Sequence, residues 1–184
     1  RDRQKIRQRR KKIRNKPMEE KKYVTEWANE NLGLTLKITN MVHEEQTPFQ
    51  HIEIADTLEC GRRLILDGVF QTSVKDEWTY HEMISHVPLM LHPHPERVLI
   101  IGGGDGGVAR EVCRHHCVTH VDLCDIDGRV IELSKEYFPT ISKVLRNPPE
   151  KLHVHVGDGI AFARKVKDFY DVIIIDCSDP IGPG

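Results

Sequence analysis

The spacing of hydrophobic residues divides the chain into two regions of different character. Across residues 23–75, apolar and polar residues alternate in short runs, as in residues 34–38 and 49–54. That alternation is typical of antiparallel strands with one buried face. Gly61 and the Asp67-Gly68 pair interrupt the runs and favour hairpin turns. We therefore predict a small β-rich N-terminal domain over residues 23–75.

Helical spacing replaces this alternation over residues 76–92. Four residues with apolar bodies recur there along one face: Tyr80, Met83, Ile84 and Val87. The pattern predicts a helix that buries this face, and Pro88 is expected to kink or end it. On the pattern alone, Tyr80 is interpreted as a core residue and His81 as a surface histidine.

Beyond residue 96, predicted strands and helices alternate. Four strands are predicted: residues 98–101 and 171–176, which are nearly all apolar, and residues 121–126 and 152–156 between them. Segments with helical spacing lie between them. This order predicts a parallel, doubly wound sheet with right-handed crossovers. Residues 76–184 are therefore predicted to form an α/β domain.

The composition is that of an ordinary globular protein, with 39% hydrophobic and 30% charged residues in 184. This length accommodates one domain, or a small domain beside an incomplete larger one. No apolar run is long enough to span a membrane. The five cysteines are an odd number for a disulfide framework, so we expect reduced thiols and a cytoplasmic location.

The net charge of −1 conceals a strong asymmetry. Residues 1–16 contain ten Lys or Arg and one acidic residue, a charge of +9 that leaves −10 on the rest of the chain. We interpret residues 1–22 as a disordered basic arm. Binding to RNA or to an anionic surface, and an arm foreign to the fold, remain alternatives. The acidic remainder favours a cationic small molecule over nucleic acid as the ligand.

A glycine-rich loop joins the first strand of the α/β region to its helix. Gly102, Gly104 and Gly107 satisfy the pattern G-x-G-x-x-G, which by itself is weak evidence for a dinucleotide site. A phosphate at a helix N-terminus requires positive potential, whereas Asp105 places a carboxylate in this loop. Asp105 therefore either faces a cationic ligand or caps the helix, and the sequence does not choose between them.

Acidic residues also follow the later strands. Asp125, Asp158 and Asp176 each stand where a predicted strand ends, and ligands of parallel sheets bind at that edge. Asp125 is placed to accept hydrogen bonds from a ribose diol, while Asp158 either binds a polar edge or caps the next helix. Asp176 and Asp179 lie three residues apart, and their repulsion would be relieved by a cation between them.

Several motifs closely resemble one enzyme family, in order and spacing: FQHIEI, RLILDGVFQTS, DEWTYHEMISHVP, VLIIGGGDGGVAREV, DIDGRVIELSK, VGDG and YDVIIIDCSDPIGPG. The family is that of spermidine synthases, or polyamine aminopropyltransferases, and the resemblance runs from Trp27 to the last residue. It implies a Rossmann-like domain of the class I methyltransferase type behind a small β-rich domain. Family members continue beyond Gly184, so the resemblance also implies a C-terminally incomplete sheet and leaves the activity of this chain alone in question.

The resemblance also implies a function in polyamine biosynthesis. Such enzymes transfer an aminopropyl group from decarboxylated S-adenosylmethionine to putrescine, giving spermidine and 5′-methylthioadenosine. The donor is a co-substrate, and no cofactor or metal is expected. A homodimer or homotetramer in the cytoplasm is expected, with neither membrane nor nucleic acid as a partner. The sequence does not fix the acceptor amine.

Roles for individual residues follow from the same resemblance. Asp176 matches the general base that deprotonates the attacking amine. The positions that match the donor site are Gln50, Gln71, Gly102, Gly104, Asp105, Asp125, Ile126, Asp158 and Gly159. The positions that match the diamine site are Tyr80, His81 and Asp179. Asp105 would accept the cationic donor and repel the carboxylate of intact S-adenosylmethionine.

Two other functions compete with this interpretation. A methyltransferase on the same fold would have to tolerate Asp105 near the methionine carboxylate, and a non-catalytic relative would be favoured if Asp176 were dispensable.

Residues 113–117 (CRHHC) and the pair His153 and His155 resemble metal ligands. Neither has the spacing of a standard zinc site, so both are interpreted as structural.

Overall fold

The computed structural model describes residues 23–177, which form two sheets and five helices. The first sheet is antiparallel and follows chain order: β1 Tyr23–Asn29, β2 Leu32–Gln46, β3 His51–Thr57, β4 Gly61–Leu66 and β5 Val69–Ser73. Asp67 and Gly68 connect the last two strands, and both have positive φ angles, 50° and 80°. Such angles suit a tight hairpin turn, so the turn predicted at this pair is confirmed.

The second sheet is parallel, with the order β8-β7-β6-β9. Its strands are β6 Arg97–Gly102, β7 His120–Asp125, β8 Leu152–Val156 and β9 Val172–Asp176. The helices are α1 Glu77–Leu91, α2 Gly107–Cys113, α3 Gly128–Tyr137, α4 Lys143–Arg146 and α5 Gly159–Lys165. The predicted fold class, a Rossmann-like parallel sheet that follows a β-rich unit in the chain, is confirmed. The chain runs from β6 through β7 to β8 at one edge and then returns to β9 on the other side of β6, and this reversal creates a crevice at the carboxyl ends of the strands.

Among residues 23–177 there are three buried apolar clusters, one of them within the first sheet and two that involve the α/β region. One of the latter two surrounds β6, where Val98 and Ile100 are fully buried against residues of α1 and α2. The other joins the two sheets, because Ile52 and Ile54 of β3 pack with Phe138 and other residues of the α3 region. The second cluster fixes the first sheet over the crevice of the second.

The prediction for α1 is wrong in which face it buries. The buried residues are His81, Ser85 and Leu89, whereas Tyr80 is 48% exposed and Met83 is 64% exposed. Helix α1 packs against α2 at Gly107, which has no side chain. A Cβ on Gly107 would stand 2.2 Å from the His81 ring. Close approach to a glycine therefore decides which face is buried.

Pro88 does not end α1 either. The helix continues to Leu91, and the His92 N–H donates to the Pro88 carbonyl at 3.1 Å. No helix within residues 23–177 is long and apolar enough to cross a membrane. The basic arm of residues 1–22 and Asp179 lie outside the described residues.

Candidate active site

A cavity of about 490 Å³ opens at the carboxyl ends of the parallel strands, beneath β4 and β5 of the first sheet. Every predicted site residue within 23–177 lines it: Gln50, Gln71, Tyr80, His81, Gly102, Gly104, Asp105, Asp125, Ile126, Asp158, Gly159 and Asp176. The residues come from both sheets and from the loops between them. The structure therefore gathers in one place the residues that the sequence separates by more than a hundred positions.

The glycine-rich loop brings the backbone of β6 against β9. Gly102 has φ +81°, and a Cβ there would stand 2.1 Å from the Asp176 carbonyl oxygen. The next amide, that of Gly103, donates to the same carbonyl at 2.9 Å. Only a residue without a side chain fits this approach. The loop thereby places the Asp176 side chain at the edge of the cavity.

Asp105 precedes the helix N-cap Gly106, bonds the first turn of α2 and also lines the cavity. Its Oδ1 accepts from the Gly107 amide at 2.8 Å, at the start of α2, and its Oδ2 lies 3.2 Å from His81 Nε2. Burial alone would raise the pKa of Asp105, but the hydrogen bond and charge of His81 hold this pKa below its ordinary value. Asp105 is therefore an ionised carboxylate on the cavity wall.

His81 is buried, so its interpretation as a surface histidine is wrong. The side chain is 2% exposed, and its Nδ1 lies 2.5 Å from Glu77 Oε2. Burial acts to lower the pKa of His81, but the hydrogen bonds and charges of Asp105 and Glu77 outweigh burial and raise the pKa to about 9. The imidazole is therefore protonated at neutral pH.

Asp176 ends β9, and one of its carboxylate oxygens lies within 4.8 Å of an oxygen of Asp105 and a nitrogen of His81. Burial and the charge of Asp105 raise the pKa of Asp176 to about 6, while a hydrogen bond from Tyr80 opposes that rise. The Tyr80 hydroxyl donates to Asp176 Oδ1 at 2.7 Å. A carboxylate with such a pKa is ionised at pH 7 and is a stronger base than an exposed aspartate.

Asp176 is accordingly expected to ionise near pH 6 instead of near pH 4. The chemical shift of its carboxyl ¹³Cγ, followed by NMR from pH 3 to 9, measures this midpoint. Because Tyr80 stabilises the charged form, Tyr80→Phe should move the midpoint upward. A midpoint at or below about pH 4 would contradict the electrostatic environment described here.

Two further acidic residues come from the ends of β7 and β8. Asp125 accepts from the Gly104 amide at 2.8 Å and from the Asp127 amide at 2.9 Å, and burial raises its pKa despite these bonds. Asp158 accepts from the amides of Ile160 and Ala161, so it caps α5 as one alternative predicted. Both side chains nevertheless line the cavity.

The two glutamines come from the first sheet and its loops. Gln50 donates to Asp127 Oδ2 at 3.0 Å, and among residues 23–177 the buried Nε2 of Gln71 has no hydrogen-bond partner. A ligand with an acceptor group would satisfy that amide. Both glutamines are partly buried, which hydrophobic alternation alone does not predict, because a period-2 pattern does not reveal a second layer covering the polar face.

Sequence reasoning missed two residues of this region. Asp127 is 2% exposed and accepts from Thr47 Oγ1 at 2.7 Å as well as from Gln50. Its position just before a helical pattern was a detectable capping signal. Glu26, on β1, also lines the cavity, and no local signal in the sequence distinguishes it from a surface glutamate.

Within residues 23–177, two groups of side chains lie close enough together to hold a metal ion: His81, Asp105 and Asp176, and Glu82, His86 and Glu111. In the first group, His81 contacts a carboxylate through each nitrogen, and a protonated ring offers a metal no lone pair. In the second, Arg110 and Arg114 already bond Glu111. Within the CRHHC segment, burial raises the pKa of Cys113 to about 11, which disfavours the thiolate that metals bind.

Comparison with known proteins agrees with this geometry. Residues 77–184 match the spermine/spermidine synthase domain, and residues 23–73 match the spermidine synthase tetramerisation domain. The polyamine aminopropyltransferase of Bacillus subtilis is 48% identical over 161 residues, which cover 88% of this chain and 58% of that protein. The corresponding protein of Methanocaldococcus jannaschii is 47% identical, and the match covers 54% of its length.

Solved structures give the same result. A spermidine synthase crystallised with the transition-state analogue AdoDATO matches with a TM-score of 0.83 at 38% identity, over 92% of this chain and 58% of that one. The spermidine synthase of Thermotoga maritima matches with a TM-score of 0.80, also at 38% identity, over 90% of this chain and 59% of that one. This chain thus spans somewhat over half the length of these relatives. The chain belongs to the spermine/spermidine synthase family.

Proposed function

We propose that this site transfers an aminopropyl group from decarboxylated S-adenosylmethionine to putrescine, forming spermidine and 5′-methylthioadenosine. The observation that carries the proposal is the pair of carboxylates facing one cavity, Asp105 and Asp176. Asp105 is held ionised by His81, whereas Asp176 titrates near neutrality. A permanent anion suits a cationic donor, and a carboxylate of raised pKa suits proton removal.

In the proposed complex, the donor occupies the wall formed by the glycine loop and the ends of β7 and β8. Asp125 accepts hydrogen bonds from the ribose hydroxyls, while Asp158 and Gly159 face the adenine edge. The cationic aminopropyl-sulfonium end lies toward Asp105. The side-chain amide of Gln71, which has no hydrogen-bond partner among residues 23–177, donates a hydrogen bond to the bound S-adenosyl compound. The side-chain amide of Gln50 does the same.

The transfer step is an in-line displacement. A protonated amine is not a nucleophile, so Asp176 first accepts a proton from the diamine, which Tyr80 and Asp179 help to hold. The free nitrogen then forms a C–N bond with the methylene carbon next to sulfur. The C–S bond breaks, and its electron pair stays on sulfur, which becomes the neutral thioether of the product. The sulfonium is a good leaving group, so these residues suffice for the step.

We also propose an oligomeric state and a cellular location for the chain. Trp27, Leu32 and Leu34 of the first sheet are exposed apolar side chains, which supports an interface between copies of the chain, as dimer or tetramer. The five cysteines are free, which supports a cytoplasmic location.

Calorimetric binding of decarboxylated and intact S-adenosylmethionine tests the donor assignment. The decarboxylated compound is expected to bind more tightly, and Asp105→Asn should weaken its binding roughly tenfold to a hundredfold, the value of a charged hydrogen bond. Binding of the intact compound should not weaken, because the same change removes a repulsion. Asp168→Asn, at an exposed position outside the cavity, is the matched control. Tighter binding of intact S-adenosylmethionine would point to a methyltransferase instead.

A further inference from the structure

A row of four alternating charges runs from the body of the protein to the cavity wall. Arg110 makes two bonds to Glu77, Nη1 to Oε1 at 3.0 Å and Nη2 to Oε2 at 2.8 Å. Glu77 in turn contacts His81 Nδ1 at 2.5 Å, and His81 Nε2 contacts Asp105 at 3.2 Å. Glu77 and Arg110 are not among the cavity-lining residues. The row therefore reaches the site through His81 and Asp105 alone.

The geometry of His81 requires two ring protons. A neutral imidazole carries one N–H and one lone pair, so one of its nitrogens would direct a lone pair at a carboxylate. Each nitrogen of His81 lies within hydrogen-bond distance of an oxygen of Glu77 or Asp105. Both contacts are favourable only when the ring is an imidazolium that donates twice.

The other groups around His81 agree with this charge state. The Asp176 carboxylate adds a further negative charge from β9, and the Tyr80 ring stands edge-on at 5.6 Å. Behind the ring, Gly107 leaves space that a methyl group would fill. Arg110 is the other positive group in the row, and Glu77 lies between it and the imidazolium.

We propose that Glu77, clamped by Arg110, is a positioning residue that holds His81 as a fixed imidazolium between Asp105 and the protein interior. The role that this charge plays toward the substrates rests on the proposed function. The imidazolium keeps Asp105 ionised for the cationic donor, and its positive charge keeps Asp176 from being protonated at neutral pH. Glu77 thus stabilises the positive charge that acts on Asp105 and Asp176, although Glu77 itself does not line the cavity.

The test is NMR titration of the full chain, comparing wild type with Glu77→Gln. We expect the pKa of His81, read from its ¹³Cε1 shift, to fall by about one to two units, since one charged partner is lost. The Asp176 midpoint, read from ¹³Cγ, should stay near pH 6, because a His81 pKa lowered by this amount still leaves the ring protonated where Asp176 titrates. Glu82→Gln, the same change elsewhere on α1, is the matched control and should leave both values unchanged. A His81 pKa unchanged in Glu77→Gln would overturn the inference.

A measurement on the wild type covers the case in which Glu77→Gln does not fold. At pH 8, both ring nitrogens of His81 should show the ¹⁵N shifts of an imidazolium, and the shifts of a neutral tautomer would overturn the inference. These readouts do not depend on turnover. If wild-type protein fails to bind the decarboxylated donor while His81 titrates as expected, the proposed function fails and the role of Glu77 in charging His81 stands.

Discussion

Replacing Asp176 with asparagine is expected to lower the rate of aminopropyl transfer by about 10²-fold to 10⁴-fold, the usual effect of losing a general base. Asparagine keeps the shape of the side chain and can still bond the Tyr80 hydroxyl, which contacts Asp176 at 2.7 Å. It cannot accept a proton from the amine. Donor affinity should change by less than about threefold, because the donor contacts are assigned to other residues.

Single-turnover formation of 5′-methylthioadenosine measures this rate, and calorimetry measures the donor affinity. Asp171→Asn is the matched control. Asp171 comes just before the first residue of β9, at the end opposite Asp176, and Arg97 donates to it at 3.0 Å. That variant should lose some stability but keep the chemical step. Full activity of Asp176→Asn would remove Asp176 from the mechanism.

The second large effect is expected from Gly102→Ala. Gly102 and Gly68 have nearly the same φ, +81° and +80°, but a Cβ on Gly68 would meet nothing within 4 Å. Gly68→Ala should therefore reduce the free energy of unfolding by only about 1 kcal/mol, the strain of a left-handed alanine. Gly102→Ala adds overlap with the Asp176 carbonyl at 2.1 Å and must push β6 and β9 apart.

We expect Gly102→Ala to lower the free energy of unfolding by at least about 3 kcal/mol, since overlap with backbone adds to the strain. Urea unfolding followed by circular dichroism compares the two variants. Donor binding should fall only in Gly102→Ala, because only that position adjoins the cavity. Equal losses of stability in both variants would show that the chain relaxes around the added methyl group.

The strands of the α/β region could be predicted because two of them, β6 and β9, are nearly continuous apolar runs and the regular alternation with helical segments indicates the other two. Residues 152–156 were predicted and β8 is Leu152–Val156; residues 171–176 were predicted and β9 is Val172–Asp176. The convergence of the acidic residues also followed from topology, since the carboxyl ends of parallel strands share one edge. The sequence thus contains both the sheet and the location of its ligand site.

The orientation of α1 could not be predicted from hydrophobic spacing. Its buried face carries His81 and Ser85, because the surface it meets includes Gly107 and the charged Asp105. Hydrophobic spacing shows which residues share a face of the helix, but it does not show which surface that face will pack against. For the same reason the sequence left the two roles of Asp105 as alternatives, whereas its two oxygens allow both.

Asp127 binds the two sheets to one another. Its Oδ1 accepts from the Arg129 amide at the start of α3, and its Oδ2 accepts from Thr47 and Gln50 of the loop before β3. Separation of the first sheet would leave a buried carboxylate without those donors and would also expose the apolar cluster shared with Phe138. The two sheets therefore have little independent stability, and the chain should unfold in a single cooperative transition even though its cavity lies between two architecturally distinct halves.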